Sequence, residues 1–352
     1  MTGVTASAAD HGFGAGRPAP GRAGGLPGVL VAGITALISG LSVFVNSYGV
    51  HAVRSPAVYT TAKNLVATLI LAGFTLVARQ SRRRWPTTAA AAARFVAVDD
   101  GAVSGGGRRE PARWPVLRWL ALAYVGIVGG GIAFVLFFDG LADTTATPAA
   151  FWRDTLVIWV AVLAIPFLHE RLTWWNGTAI GLLVVGEVAV AGGTGHLAAS
   201  RGEVLVLSAS LLWAVEVVVA KILLREVAPA TVSLIRMGVG ALALVGYLAA
   251  SGSLHTLLSL DAAQVAWALL TGLLLSAYVA TWVTALARGR ALDVTSILVG
   301  GALITALLEA AAGTASLAPR ALGLALIALG TGTVVWRGLR HPSALRGEGV
   351  TA

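Results

Sequence analysis

Long apolar runs, separated by short polar breaks, occupy most of this chain. They fall at about 28–50, 57–78, 118–141, 146–168 and 174–193, then at about 203–223, 230–250, 264–286, 292–312 and 319–336. About 20 apolar residues cross the hydrocarbon core of a bilayer as a helix. The pattern therefore predicts an all-α polytopic membrane protein with ten transmembrane helices, five in each half. Residues 1–26 are rich in Gly, Ala and Pro, lack periodicity, and read as a disordered tail; 338–352 reads as a second tail. Residues 79–116 hold Arg82-Arg83-Arg84, an alanine run and Gly105-Gly106-Gly107-Arg108-Arg109. That stretch is too polar and too Gly/Ala-rich to pack a core, so it reads as a flexible basic insert. The first five-helix unit then spans 28–194 and the second 201–337.

The halves echo one another. Lys63 follows Pro56 by seven residues, and Arg236 follows Pro229 by seven; Gly73-Phe74 is answered by Gly246-Tyr247. Because five is odd, a copied five-helix unit sits upside down relative to the first. The charges agree. With the N-terminus inside, nineteen of the 25 Lys and Arg residues fall in cytoplasmic segments, while Arg54, Arg201 and Arg320 fall outside. Lys63, Arg153 and Arg236 lie within spans. An excess of Lys and Arg marks the cytoplasmic side, so both termini are expected there. Inverted repeats are a hallmark of secondary transporters, with the binding site at their interface near mid-membrane.

Composition narrows the chemistry. Charged residues are 12% of the chain and hydrophobic residues 57%, against about 25% charged in soluble domains. The net charge of +9 comes from arginines beside apolar spans, which fits membrane orientation and not nucleic-acid binding. Cysteine is absent, which removes disulfides and thiolate chemistry. The two lysines, Lys63 and Lys221, lie outside any Gly-Lys-Ser/Thr phosphate loop. His169-Glu170 lacks the second histidine of a zinc-protease helix. No metal site, catalytic residue or cofactor is expected.

A charged side chain inside the hydrocarbon costs a few kcal/mol on insertion scales, so each one needs a reason. Lys63, with Asn64, Thr60 and Thr61 beside it, either snorkels outward or faces a cavity; Arg236 poses the same choice from the opposite side. Asn46 and Ser47 either bind substrate or cross-link helices. Arg153 and Asp154 follow Trp152. Adjacent helical residues point about 100° apart, so they are expected to pair poorly with each other and to need a partner on another helix. Trp152 fits an interfacial belt or a cavity wall, and Tyr278 completes the substrate-binding set. Glu187 and Glu309 stand among small apolar residues. Burial disfavours a charged carboxylate, so each reads as a proton-coupling group or as a packing hydrogen bond. Glu216 reads as structural.

Ser55-Pro56 before a span with an early cation, Asp139-Gly140-Leu141 leading to Ala150, and Glu170-Arg171 followed by Gly181 make the chain resemble the drug/metabolite transporter superfamily, and within it the EamA family. The resemblance covers about residues 28–337. Where the family often has Gly-Glu at the ends of spans four and nine, His169 here precedes Glu170, and Glu309 lies earlier in its helix. The resemblance implies a ten-helix permease in a bacterial plasma membrane, moving a small polar metabolite such as an amino acid, usually outward, by alternating access. Its partners would be that substrate, the lipid bilayer and protons, and its cavity would be lined by helices one to four and their copies. A lipid translocase on the same fold, an integral membrane enzyme and a non-transporting subunit remain the alternatives.

Overall fold

A computed structural model describes residues 28–53, 55–84, 116–144, 146–191 and 200–340. The tail 1–26, residues 85–115 of the basic insert, Arg54 and the end of the C-terminal tail lie outside the described residues. Hydrocarbon offers backbone groups no hydrogen-bond partners, so a spanning chain must satisfy them internally, as helices do. Among the described residues ten membrane-associated helices result, here numbered in chain order. They are α1 (Gly28–Ala52), α2 (Pro56–Arg84), α3 (Val116–Ala142), α4 (Ala146–Asp154 and Leu156–Leu168) and α5 (Trp174–Val190). The second half gives α6 (Arg201–Leu223), α7 (Pro229–Ala250), α8 (Ala262–Arg288), α9 (Ala291–Val299 and Gly301–Ala311) and α10 (Ala321–Arg340). All but α5 are long and apolar enough to cross a bilayer; α5 is apolar but shorter. Side chains such as Leu69, Phe74, Leu322 and Leu329 face outward, as lipid contact requires.

The helices follow the hydropathy pattern, with differences at their ends. α2 continues to Arg84, into the stretch read as insert, and α10 continues to Arg340. Arginine is a good helix former, and a helix can run on past the hydrocarbon into water. Pro56 and Pro229 open α2 and α7, where a missing N–H costs nothing.

Packing repeats under exchange of the two halves. α1 packs on α8 and α9 as α6 packs on α3 and α4; α2 packs on α8 as α7 packs on α3. The pairs α2–α7, α4–α9 and α5–α10 meet their own copies. Both copies of the fourth helix break at equivalent points, Thr155 (φ −57°, ψ −14°) and Gly300 (φ −57°, ψ −16°). At each, the ladder tightens to a bond three residues on: Ile158 N–H to Thr155 O at 2.9 Å and Leu303 N–H to Gly300 O at 3.2 Å. The Thr155 hydroxyl donates to Trp152 O at 2.6 Å, and such a side-chain bond into the ladder bends helices.

The glycine run in α3 does more than permit close approach. Tyr124–Ile132 winds as a π-helix, a wider turn that redirects carbonyls away from the regular ladder. Gly129 O accepts from Trp213 Nε1 (3.1 Å) and Arg236 Nη2 (3.4 Å), and Gly130 O accepts from Asn64 Nδ2 (3.0 Å). Three other helices are thereby fastened to one turn of α3. Gly130 meets Gly240 of α7 backbone to backbone, and a Cβ on Gly130 would collide with Arg236 O. Gly130→Leu is expected to cost about 3 kcal/mol or more by overpacking. Gly246→Ala, with nothing within 4 Å, should be neutral or slightly stabilising. Thermal unfolding of the detergent-solubilised protein separates the two.

Candidate functional site

Between the repeats lies a central cavity of about 110 Å³, lined from α1–α4 and α6–α9 and by neither α5 nor α10. Three cationic side chains reach it: Lys63 from α2, Arg153 from α4 and Arg236 from α7.

Arg236 is fully matched. Its Nε donates to Glu216 Oε1 at 2.5 Å and its Nη2 to Glu216 Oε2 at 3.0 Å, the bidentate fork that guanidinium and carboxylate favour. The rings of Phe134 and Trp282 flank it at 5.1 and 5.2 Å.

Arg153 is matched too, against expectation. Its Nε and Nη2 both reach Asp154 Oδ1, at 2.8 and 2.7 Å. The 100° rule concerns where side chains leave the helix. A four-torsion arginine stem can fold back over that gap, and the helix breaks at the next residue. Asp154 Oδ2 is left buried without a partner.

Lys63 is different. It is 2% exposed, and among the described residues no carboxylate lies within ion-pair distance. Asn46 Oδ1 accepts from its Nζ at 3.1 Å, and the Phe138 ring lies 3.5 Å away. The Asn46 amide is fixed in turn, since its Oδ1 also accepts from Tyr59 Oη (2.6 Å) while its Nδ2 donates to Ser42 O (2.6 Å). The rings of Tyr59 and Phe134 lie farther off, each at 5.4 Å. An ammonium has three hydrogens to give, and one amide oxygen is the one hydrogen-bond acceptor it meets among the described residues. With Arg236 and Arg153 each matched by a carboxylate, Lys63 is, among the described residues, the basic group on the cavity wall with no carboxylate against it.

The structure thus brings together Asn46, Lys63, Arg153, Asp154, Arg236 and Tyr278. Tyr278 stacks parallel to Trp282 at 6.5 Å. It does not bring the others there. Asn64 turns to Gly130 O, and Trp152 Nε1 donates to Glu203 Oε2 at 3.0 Å. Ser47 and Glu309 line a separate pocket at one end of the bundle with Tyr48 and His51, where Glu309 pairs with Arg320 at 2.7 Å. Glu187 faces a smaller chamber beside the cavity. Sequence reasoning missed Glu216 as a cavity residue and missed the aromatic wall of Phe134, Phe137 and Phe138. The spacing of these three phenylalanines by three and one marks a single helix face. Laying Lys63 over Arg236 sets Glu216 opposite Val43, one turn from Asn46, so the overlay of the halves alone does not single it out.

The two ends of the cavity differ. At the end where α1 starts, Glu170 accepts from the backbone N–H groups of Ala291 (2.7 Å) and Leu292 (3.1 Å), an anion on the N-terminus of α9. Lys221 donates to Leu286 O and Gly289 O at 2.7 and 2.5 Å, holding α6 to the α8–α9 turn. His169, at φ 56°, ends α4 in the left-handed conformation and sets up the turn that delivers Glu170. At the opposite end Leu141 lines both the central cavity and the pocket of Ser47 and Glu309.

The EamA-like transporter family matches residues 26–191 and, a second time, 200–336. The chain belongs to that family. It is a multi-pass membrane protein of the drug/metabolite transporter superfamily, made of two EamA repeats. A solved structure titled only "Crystal structure of protein" resembles it in fold, with a TM-score of 0.60 at 17% identity over 87% of this chain and 97% of the other. No curated protein matches the sequence.

In this EamA protein the Glu216–Arg236 pair is testable without a substrate. Removing one member of a buried pair costs about 3–5 kcal/mol, because the other is left charged and dry. Glu216→Ala is expected to unfold at correspondingly lower temperature. The double variant Glu216→Gln with Arg236→Gln should recover much of the loss; a double variant worse than the sum of the singles would contradict the pairing.

Proposed function

We propose that this protein is a secondary transporter in the plasma membrane of a bacterium. It exports a small polar metabolite bearing an anionic group, an amino acid or a related compound, by alternating access. The observation that carries the reading is Lys63, a buried cation on a cavity wall whose companions are an amide and aromatic rings. At an effective dielectric near 20, an anion about 4 Å from an unmatched ammonium gains about 4 kcal/mol before the cost of removing its water, roughly a thousandfold in affinity. Arg236 and Arg153, already held by Glu216 and Asp154, hold the cavity's shape and offer matched dipoles to the rest of the cargo.

The inverted repeat supplies the movement. Two halves that pack on each other in equivalent ways can exchange roles, opening the cavity at one end while closing the other. The charge distribution favours both termini on the cytoplasmic side. The end sealed by Glu170 and Lys221 is then the cytoplasmic one, and the pocket of Ser47 and Glu309 is an outer vestibule.

Comparative metabolite profiling tests the reading. Cells overproducing the protein should enrich one anionic or zwitterionic compound in the medium, and cells lacking it should retain that compound. Lys63→Met, inserted at normal levels, should lower transport of it by about 100-fold or more. Wild-type transport by Lys63→Met would remove the anion site. Movement of lipid with no soluble compound would replace the cargo class.

A further inference from the structure

We propose that Asp154 and Glu187 together hold one exchangeable proton in the chamber beside the cargo cavity. The proposal deepens the transport reading and rests on it only for the use to which the proton is put.

The chamber is a separate void of about 40 Å³ between α4, α5 and α9, enough for a water or two on that scale. Its wall is apolar, of Phe151, Val157, Ile158 and Leu183 among others, except for Thr155, Asp154 and Glu187. The Thr155 hydroxyl is spent on Trp152 O, which leaves Asp154 and Glu187 as the two carboxylic residues bordering this small space. Each is more than nine-tenths buried, at 7% and 5% exposure. Each has an oxygen without a partner: Asp154 Oδ2 and Glu187 Oε1. Asp154 lines the central cavity as well as the chamber, so it connects the two.

Charge decides the occupancy. Asp154 shares the chamber wall with Glu187, and Arg153 is ion-paired to Asp154. Among the described residues the neighbouring elements offer no further neutraliser: on α6, Arg201 pairs with Asp143, Glu216 with Arg236, and Lys221 donates to backbone carbonyls. On α9, Asp293 accepts from Asn176 and Glu309 pairs with Arg320; on α10, Arg337 reaches Thr173. Two carboxylates against one guanidinium leave one negative charge in excess, and like charges sharing a site cannot both ionise cheaply. One proton removes the excess. It arrives from water in the central cavity by way of Asp154 Oδ2, forms an O–H bond on either orphan oxygen, and leaves by the same route. An anion on Lys63 adds negative charge to the same low-dielectric region, so cargo and proton favour each other's binding; linkage makes that coupling reciprocal.

Infrared difference spectroscopy on the purified protein in lipid nanodiscs tests this without any cargo. The wild type at neutral pH should show the carbonyl band of a protonated carboxyl. Either single variant, Glu187→Gln or Asp154→Asn, should abolish that band, because Arg153 then matches the one carboxylate left. Dicyclohexylcarbodiimide, which reacts with protonated carboxyls in apolar surroundings, should tag Glu187 or Asp154 in the wild type, a result that stands whether or not the variants fold. A band that survives in both variants, a wild type with neither band nor adduct, or a band that sodium abolishes at constant pH would overturn the proposal. A missing band leaves the anion site at Lys63 untouched, and a failed transport assay leaves the band in place.

Discussion

A polar group shut inside a membrane bundle is costly unless another matches it, since lipid offers no hydrogen bonds. That constraint governs the centre of this protein. Arg236 has Glu216, Arg153 has Asp154, and the π-turn of α3 gives its carbonyls to Trp213, Arg236 and Asn64. The same requirement explains why the glycines lie where they do. Backbones must approach closely for these short bonds to form, and the contacts of Gly130 with Gly240 and of Gly186 with Gly323 allow it.

Lys63 is the exception, and the transport reading proposed above rests on it. The two repeats place a cation at equivalent positions, and each cation faces a residue of the preceding helix. In the second repeat that residue is Glu216, and the pair is closed. In the first it is Asn46, and the cation stays open. A structure built from two copies of one unit thereby acquires one charged, under-satisfied face in a cavity between them. In the proposed account symmetry supplies the exchange of states and its breaking supplies the site. Asp154 lines both the central cavity and the smaller chamber, so the proposed cargo and proton sites share a residue.

Much of this was legible in the sequence. Ten apolar runs gave the helices to within a few residues, because hydrocarbon leaves a spanning chain few alternatives. The proline-to-cation spacing exposed the repeat, and six of the nine residues singled out as substrate contacts line one cavity. What remained hidden depends on the third dimension. Gly129-Gly130-Gly131 signalled close packing, yet the π-turn arises from the demands of three other helices. Ser47 directly follows Asn46 and looked equivalent, but one residue is 100° of rotation and carries it to the vestibule. The pairing of Arg153 with Asp154 required knowing that the helix breaks at Thr155, which no proline or glycine announces.

The central claim is that one cavity between the repeats is reached from both sides of the membrane in turn. The natural chain contains no cysteine, so Ser42→Cys introduces a single reporter on the cavity wall. Labelling by a membrane-impermeant maleimide, applied to right-side-out and to inverted vesicles, measures access directly. The account predicts labelling from both sides, with each arm slowed when the exported compound is present. Labelling from one side alone under every condition, unaffected by any soluble compound, would contradict it.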